Sequence, residues 1–223
     1  MRVELDFIAV LTQWPLLLTG VMWTLVLTVV SAVLGVLLGI GCAWTRTQGS
    51  AVMRGVVGAY VELIRNTPFI VQLFFIFFGL PVAGIRLSPE WASVIAMVIN
   101  LGAYSAEIVR AGIQSTPDGQ IEAGLSLALT RAQIFIHVVL PPALQRVWPA
   151  LVSQIIIVML GSAVCGQIAT EELSYATNLI QSRNFRAFEA FIVSTLLYLF
   201  LAVGLRSVLN WVGPHLLFGR RHG

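Results

Sequence analysis

The sequence predicts an all-α integral membrane protein with about five transmembrane helices, and three observations carry that prediction. Of its 223 residues, 58% are hydrophobic and 10% are charged, against roughly 25% charged residues in a soluble domain. The mean hydropathy is +0.90. The apolar residues fall into long runs without the dyad alternation of an outer-membrane barrel. A chain this apolar cannot hide its side chains in a core of its own, so its solvent is lipid.

Five segments follow in order, at about 16–44, 51–80, 91–113, 148–168 and 188–212. Each has about the 20 apolar residues that a span needs. The second is the longest. As an unbroken helix of about 30 residues it would measure about 45 Å, with Glu62 to Pro68 near its middle. Trp14, Trp23, Trp44, Trp91, Trp148 and Trp211 fall mostly near the predicted ends, as interfacial anchors do. Glu4 and Asp6 stand where a cleaved signal peptide would carry a basic cluster, so no such peptide is expected. Cys42 and Cys165 both lie in apolar runs and read as small helix-packing residues.

Every basic residue apart from the histidines is arginine, and the formal net charge is +3. With the N-terminus outside, the inner segments hold Arg46, Arg54, Arg110, Arg131, Arg146, Arg206, Arg220 and Arg221. The outer ones hold Arg2, Arg86, Arg183 and Arg186. This bias predicts an N-out, C-in orientation. No basic face is long enough for nucleic acid. The long inner segment, about 115–147, has helical signals. Thr116-Pro117-Asp118 sets a capping residue before a proline at the first helical position, opening a short helix over about 120–129. Thr130 and Gln133 form a capping-box pair for a second helix, which Pro141 and Pro142 disturb. The segment reads as a helical hairpin facing the cytoplasm and built to touch a partner.

Within that hairpin, Ile121-Glu122-Ala123-Gly124-Leu125-Ser126-Leu127-Ala128-Leu129-Thr130-Arg131, with Val139-Leu140-Pro141 after it, resembles the cytoplasmic "EAA" signature of ABC importer permeases. The signature's usual glycine is Ala128 here, which puts the turn geometry at issue. Two further blocks resemble the polar amino acid permeases of that family. One is Tyr60-Val61-Glu62-Leu63-Ile64-Arg65-Asn66-Thr67-Pro68, continuing from Gln72 to Pro81. The other runs from Ala103-Tyr104-Ser105-Ala106-Glu107 through Arg110 to Gln120. The resemblance implies a type I ABC importer transmembrane domain over 1–223, with 115–147 as its cytoplasmic loop. It implies that Glu122, Ala123, Ala128 and Arg131 belong to a coupling helix docked on an ATPase subunit. It also implies a second permease subunit (identical or related), a periplasmic solute-binding protein and a polar amino acid substrate, in the bacterial inner membrane. Where relatives often carry a Lys-Asp-Thr-Ser-like run, this chain has Leu160-Gly161-Ser162-Ala163, which weakens an assignment to basic amino acids.

The residues themselves point the same way. A charge at the bilayer centre costs about 2.5–3.5 kcal/mol on insertion scales and faces a cavity or a partner. Glu62 and Arg65 lie three apart on one helical face, as do Glu107 and Arg110, and each pair can neutralise itself locally. Glu62 is a candidate for the solute pathway or for a gate. Pro68 frees a carbonyl at depth, and irregular backbone there is tolerated in a protein interior or beside water. Asn100 can bond a solute or a neighbouring helix. Ser162 is a pathway candidate, although the small residues around it also suit close helix packing. After the fourth span, Glu171, Glu172, Arg183 and Arg186 lie on an outer loop suited to a binding protein.

No HExxH, GxSxG or Walker A sequence is present, so no enzymatic activity and no cofactor are expected, and the energy must come from a partner. The competing expectation is an ion-coupled secondary transporter with Glu62 and Glu107 as relays. An intramembrane enzyme would need a nucleophile–base or metal pair, and a non-transporting assembly subunit would leave the pathway residues idle.

Overall fold

The structure is a computed structural model that describes residues 5–217. Arg2, Arg220 and Arg221, used above for orientation, lie outside the described residues. Among the described residues every regular element is helical. After a single turn, α1 (Ile8–Leu11), the first span is α2 (Trp14–Gln48). The bent second segment comprises α3 (Ala51–Arg65) and α4 (Phe69–Phe74), the latter continuing through a π turn, Phe75–Gly79, and a 3-10 turn, Leu80–Ala83. Next come α5 (Pro89–Gln114), α6 (Asp118–Ser126) and α7 (Arg131–Ile134). A π turn, Phe135–Val139, leads into α8 (Leu140–Gly161), which tightens to a 3-10 turn over Ser162–Ile168. The chain closes with α9 (Leu173–Asn184) and α10 (Ala187–Val212).

Among the described residues four stretches are each long and apolar enough to cross a membrane, and the bent pair, counted as one span, makes five. The central packing is α2 against α5. Helices in lipid associate through close backbone approach, which small residues allow. Gly35 and Gly39, four apart on α2, meet Leu101 and Ser105 of α5; a Cβ on Gly39 would lie 2.9 Å from the backbone nitrogen of Ala106. Leu27, Met97 and Leu101 fill the adjoining core, and both cysteines are buried.

The second segment departs from the continuous helix that its hydropathy suggests. Ala51–Arg65 and Phe69–Ala83 meet at 111°. Pro68 has no N–H and disfavours helical backbone in the residue before it; it adopts an extended conformation as the N-cap of α4. The pair expected between Glu62 and Arg65 is also replaced. Arg65 ends α3 and its guanidinium reaches Glu107 of α5.

The outer loop expected after the fourth span is largely helix. Thr24 of α2 accepts from the Leu173 amide at 3.2 Å, and a Cβ on Gly20 would meet Leu173 Cα at 2.8 Å. Glu172, expected on a partner-facing surface, is fully buried. Its carboxylate accepts from the Ser174 and Tyr175 amides at 2.9 and 2.7 Å and from the Tyr198 hydroxyl at 2.6 Å. A buried carboxylate needs such donors, and the free amides at a helix start supply them. Glu171 alone of the two acidic residues is exposed.

Candidate functional site

Breaking a helix inside a membrane leaves carbonyls that water cannot reach, and each needs a donor. The sequence after Arg65 supplies them. Asn66 Nδ2 donates to the Glu62 carbonyl and Thr67 Oγ1 to the Leu63 carbonyl, both at 2.8 Å. Gln72, buried on the first turn of α4, turns its amide back on the break. Its Nε2 donates to the Ile64 and Thr67 carbonyls at 2.8 and 3.0 Å, and its Oε1 accepts from Asn100 Nδ2 at 2.9 Å. Asn100 thereby fastens α5 to the bend. Gln72 is a site residue that sequence reasoning quoted within a motif and gave no role. Its signal was a glutamine four residues after a proline in an apolar run.

Beside the bend lies a cavity of about 440 Å³, within the size range of small-solute sites. Thr67, Pro68 and Phe69 form one wall, Asn100 and Tyr104 of α5 a second, and Gln154, Ile157, Val158 and Gly161 of α8 the third. The polar groups are two amides, a hydroxyl and a phenol; among the described residues no charged side chain lines it. A Cβ on Gly161 would meet nothing within 4 Å. Of the pathway candidates, Asn100 lines the cavity. Glu62 is exposed on α3, one turn before the break, and makes no ion pair among the described residues. Ser162 is buried and donates to the Met159 carbonyl at 2.6 Å, and it does not line the cavity. Tyr104 and Gln154 do.

Next to the cavity, Glu107 gathers arginines from three helices. It bonds Arg46 of α2 and Arg110 of α5, and Arg65 of α3 stands 3.8 Å away.

The hairpin has its own geometry. Thr130 Oγ1 accepts from the Gln133 amide while Gln133 Oε1 accepts from the Thr130 amide, which completes the capping box. The short helix begins at Asp118, two residues before the expected 120–129, and its cap is Pro117, one residue after the expected Thr116. It ends earlier, in a Schellman turn: the Leu129 amide donates to the Gly124 carbonyl and the Ala128 amide to the Leu125 carbonyl. Ala128 occupies the left-handed position of that turn, with φ of 56°, so the turn survives the missing glycine. Pro141 and Pro142 open α8 without interrupting it, and the irregularity is taken up by the π turn before them. A Cβ on Gly124 would lie 2.8 Å from Ile134, so α6 rests directly on α7. Glu122, Ala123, Ala128 and Arg131 are all exposed. Leu125 and Leu127 are 54% and 75% exposed beside them.

Residues 35–217 match the family of binding-protein-dependent transport system inner membrane components. The chain belongs to that family. The permease is 35% identical over 209 residues to the glutamine transport system permease protein of Escherichia coli (strain K12), covering 93% of this chain and 95% of the relative. It is 37% identical over 171 residues to the L-cystine transport system permease protein of Bacillus subtilis (strain 168), covering 77% and 73%. The crystal structure of an amino acid ABC transporter with histidines contains a chain that superposes on it with a TM-score of 0.84 at 34% identity, covering 96% of the permease and all of that chain. The permease is therefore a multi-pass inner-membrane protein with the ABC importer transmembrane fold.

Two outcomes follow from this geometry. Gln72→Leu strips donors from two backbone carbonyls and the acceptor from Asn100. Unpaired buried polar groups cost about 1–3 kcal/mol each, so the thermal midpoint of the purified protein should fall clearly below that of the parent. Ala128→Gly should shift the midpoint upward by about 1 kcal/mol of stability, because an L-residue in the left-handed region carries a penalty that glycine lacks.

Proposed function

We propose that this chain is the transmembrane permease subunit of an ATP-driven ABC importer for polar amino acids. The observation that carries the reading is the neutral, amide-rich cavity at a bent span, in a member of this family. A zwitterion with a polar side chain needs hydrogen-bond partners in exchange for water, and Thr67, Asn100, Tyr104 and Gln154 offer both donors and acceptors. The named relatives transport glutamine and cystine, which agrees with a lining free of charge. Asn100 contacts the solute. Glu62 stands on the approach to the bend. Ser162 acts indirectly, tightening the end of α8 beside Gly161.

The pathway is completed by a second permease subunit, identical or related, because polar groups exposed at membrane depth have no stable interface with lipid. ABC ATPase subunits grip the hairpin within 115–147 from the cytoplasm. Exposed Leu125 and Leu127 lie outside the spans, where no lipid covers them, and an ATPase cleft would. Glu122, Ala123 and Arg131 surround those leucines. The closure of the ATPase pair on ATP passes through α6 onto α7, and from there along the continuous helix into α8 and the cavity wall. At the opposite end a periplasmic binding protein delivers the solute, with Glu171 as an exposed acidic contact that sets orientation and encounter rate more than affinity.

The test is reconstitution in vesicles with the cognate ATPase and binding protein. Polar amino acids should stimulate ATP hydrolysis and accumulate at ATP's expense, and uptake that follows a proton gradient without ATP would refute the reading. Ala123→Trp should insert normally, lose most uptake and leave ATP hydrolysis unresponsive to the binding protein. Unaltered uptake by this variant would remove α6 from the coupling role.

Selectivity has its own outcome. The space beside Gly161 accepts a side chain, and a carboxylate there would meet a cationic one. Charged hydrogen bonds contribute about 1.5–3 kcal/mol. Gly161→Asp should therefore raise stimulation by arginine relative to glutamine by about tenfold or more, measured as the ratio of their half-saturating concentrations.

A further inference from the structure

Glu107 stands where three helices meet, and neither the cavity lining nor the hairpin uses it. Two of its partners hold it firmly. Arg46 of α2 bonds Oε1, and Arg110 on its own helix donates from Nε to Oε1 at 3.1 Å and from Nη2 to Oε2 at 2.8 Å. The third contact is different in kind. Arg65 Nη1 is 3.8 Å from Oε2, too far for a hydrogen bond, and the Arg65 side chain is 42% exposed where that of Glu107 is 19%. Three cations share one carboxylate. Arg46 and Arg110 already occupy both oxygens and repel the newcomer, so Arg65 is the member that leaves most readily.

Its place in the chain gives that looseness a consequence. Arg65 is the last residue of α3, directly before the bend. Its guanidinium carbon lies 5.6 Å from the centre of the Tyr104 ring, within cation–π range. Tyr104 and Thr67, two residues after Arg65, both line the cavity. Arg65 itself, the terminal side chain of the half-helix, is thus held against the cavity wall by one weak ion pair and one ring contact.

We infer that Arg65 and Glu107 form a releasable latch. Arg46, Glu107 and Arg110 are a fixed post joining the first span to α5. Arg65 is the arm that lets α3 part from Tyr104 when the cavity changes the side to which it opens. Arg65 is a positioning residue in this scheme, acting through the bend and Tyr104 without touching solute. The inference rests on the importer reading.

The test compares Arg65→Gln and Arg65→Lys in the reconstituted complex, reading ATP hydrolysis with and without loaded binding protein. A half-exposed ion pair is weak enough that its loss shifts a two-state balance by about two- to fivefold. Arg65→Gln should assemble in parental amounts with an unchanged thermal midpoint. Its unstimulated hydrolysis should rise by that factor, and its stimulation should shrink correspondingly. Arg65→Lys, which keeps the charge, should recover most of the stimulation. Parental rates in Arg65→Gln overturn the latch. So does failure of that variant to assemble, since the contact would then be a structural brace. A parental complex that ignores loaded binding protein refutes the importer reading before any substitution is made, which keeps the two failures apart.

Discussion

Every carbonyl that Pro68 frees inside the bundle must find a donor, and the arrangement of the cavity follows from how that requirement is met. Lipid offers no donors, so they come from side chains in the same short stretch and from one glutamine beyond it, which reaches the buried Ile64 carbonyl. Asn66 and Thr67 serve the end of α3, and Gln72 serves the bend from the far side. A glutamine that donates inward still has an oxygen to satisfy, and Asn100 satisfies it. The bend is therefore bonded to α5 as well as to itself. The polar residues that make the bend stable also line the cavity beside it, so the structural requirement and a surface for a polar solute are one feature.

A second constraint acts at the hairpin, outside the spans. There the backbone reaches solvent and its carbonyls need no such rescue, yet the geometry is equally defined. The capping box fixes the start of α7, and the Schellman turn fixes the end of α6. Between them, Gly124 lets α6 lie against Ile134 without a gap. A helix of nine residues is too short to hold itself together in water. It keeps its shape because both ends are tied and one face is seated on α7, which leaves the other face, with Leu125 and Leu127, open to a partner.

How much of this could be read from the sequence depends on what each signal measures. Hydropathy reports composition along the chain, and it placed four of the five apolar segments within about four residues of the observed helices; the fourth helix starts at Leu140, eight residues before the predicted segment, because its first turns lie among the polar residues of the hairpin. Thr130 and Gln133 were legible because a capping box is a local pattern, independent of the rest of the fold. The direction of the chain was not legible in the same way. A hydropathy window over 51–80 sums two half-helices as though they were collinear, and Pro68 announces a break without giving its angle. Arg65 was paired with Glu62 because spacing of three is the only neighbour relation a sequence displays. Its partner Glu107 is more than 40 positions away and was visible only once α3 and α5 were packed. Glu172 misled for the converse reason. A glutamate after a span reads as surface, and only the positions of Tyr198 and the start of α9 show why a fully buried one is tolerated.

These contrasts sort the molecule into firm and yielding parts. The α2–α5 pair is locked by Gly35 against the Leu101 side chain and Gly39 against the α5 backbone, where even a methyl group would collide. Helix α9 is locked to α2 at Gly20 and by the Leu173 amide on Thr24, and to α10 by the Tyr198 hydroxyl on the buried Glu172 carboxylate. Packed interfaces of this kind have discrete arrangements and do not deform gradually. Helix α3 is held otherwise. Gly55 and Gly58 on it meet nothing within 4 Å, its middle is held by Val61 and by the Tyr60 hydroxyl on the Ile99 carbonyl at 2.7 Å, and its far end by Gln72 on the Ile64 carbonyl and by the long Arg65 ion pair. The half-helix that leads into the cavity thus lacks the glycine contacts that lock α2 to its neighbours, and the ion pair at its end is weak. In a transporter that must expose one site alternately to two sides, the end of that half-helix carries the weakest tie to the cavity wall, and the helix from α7 through α8 runs without a break from the hairpin to the cavity's opposite wall.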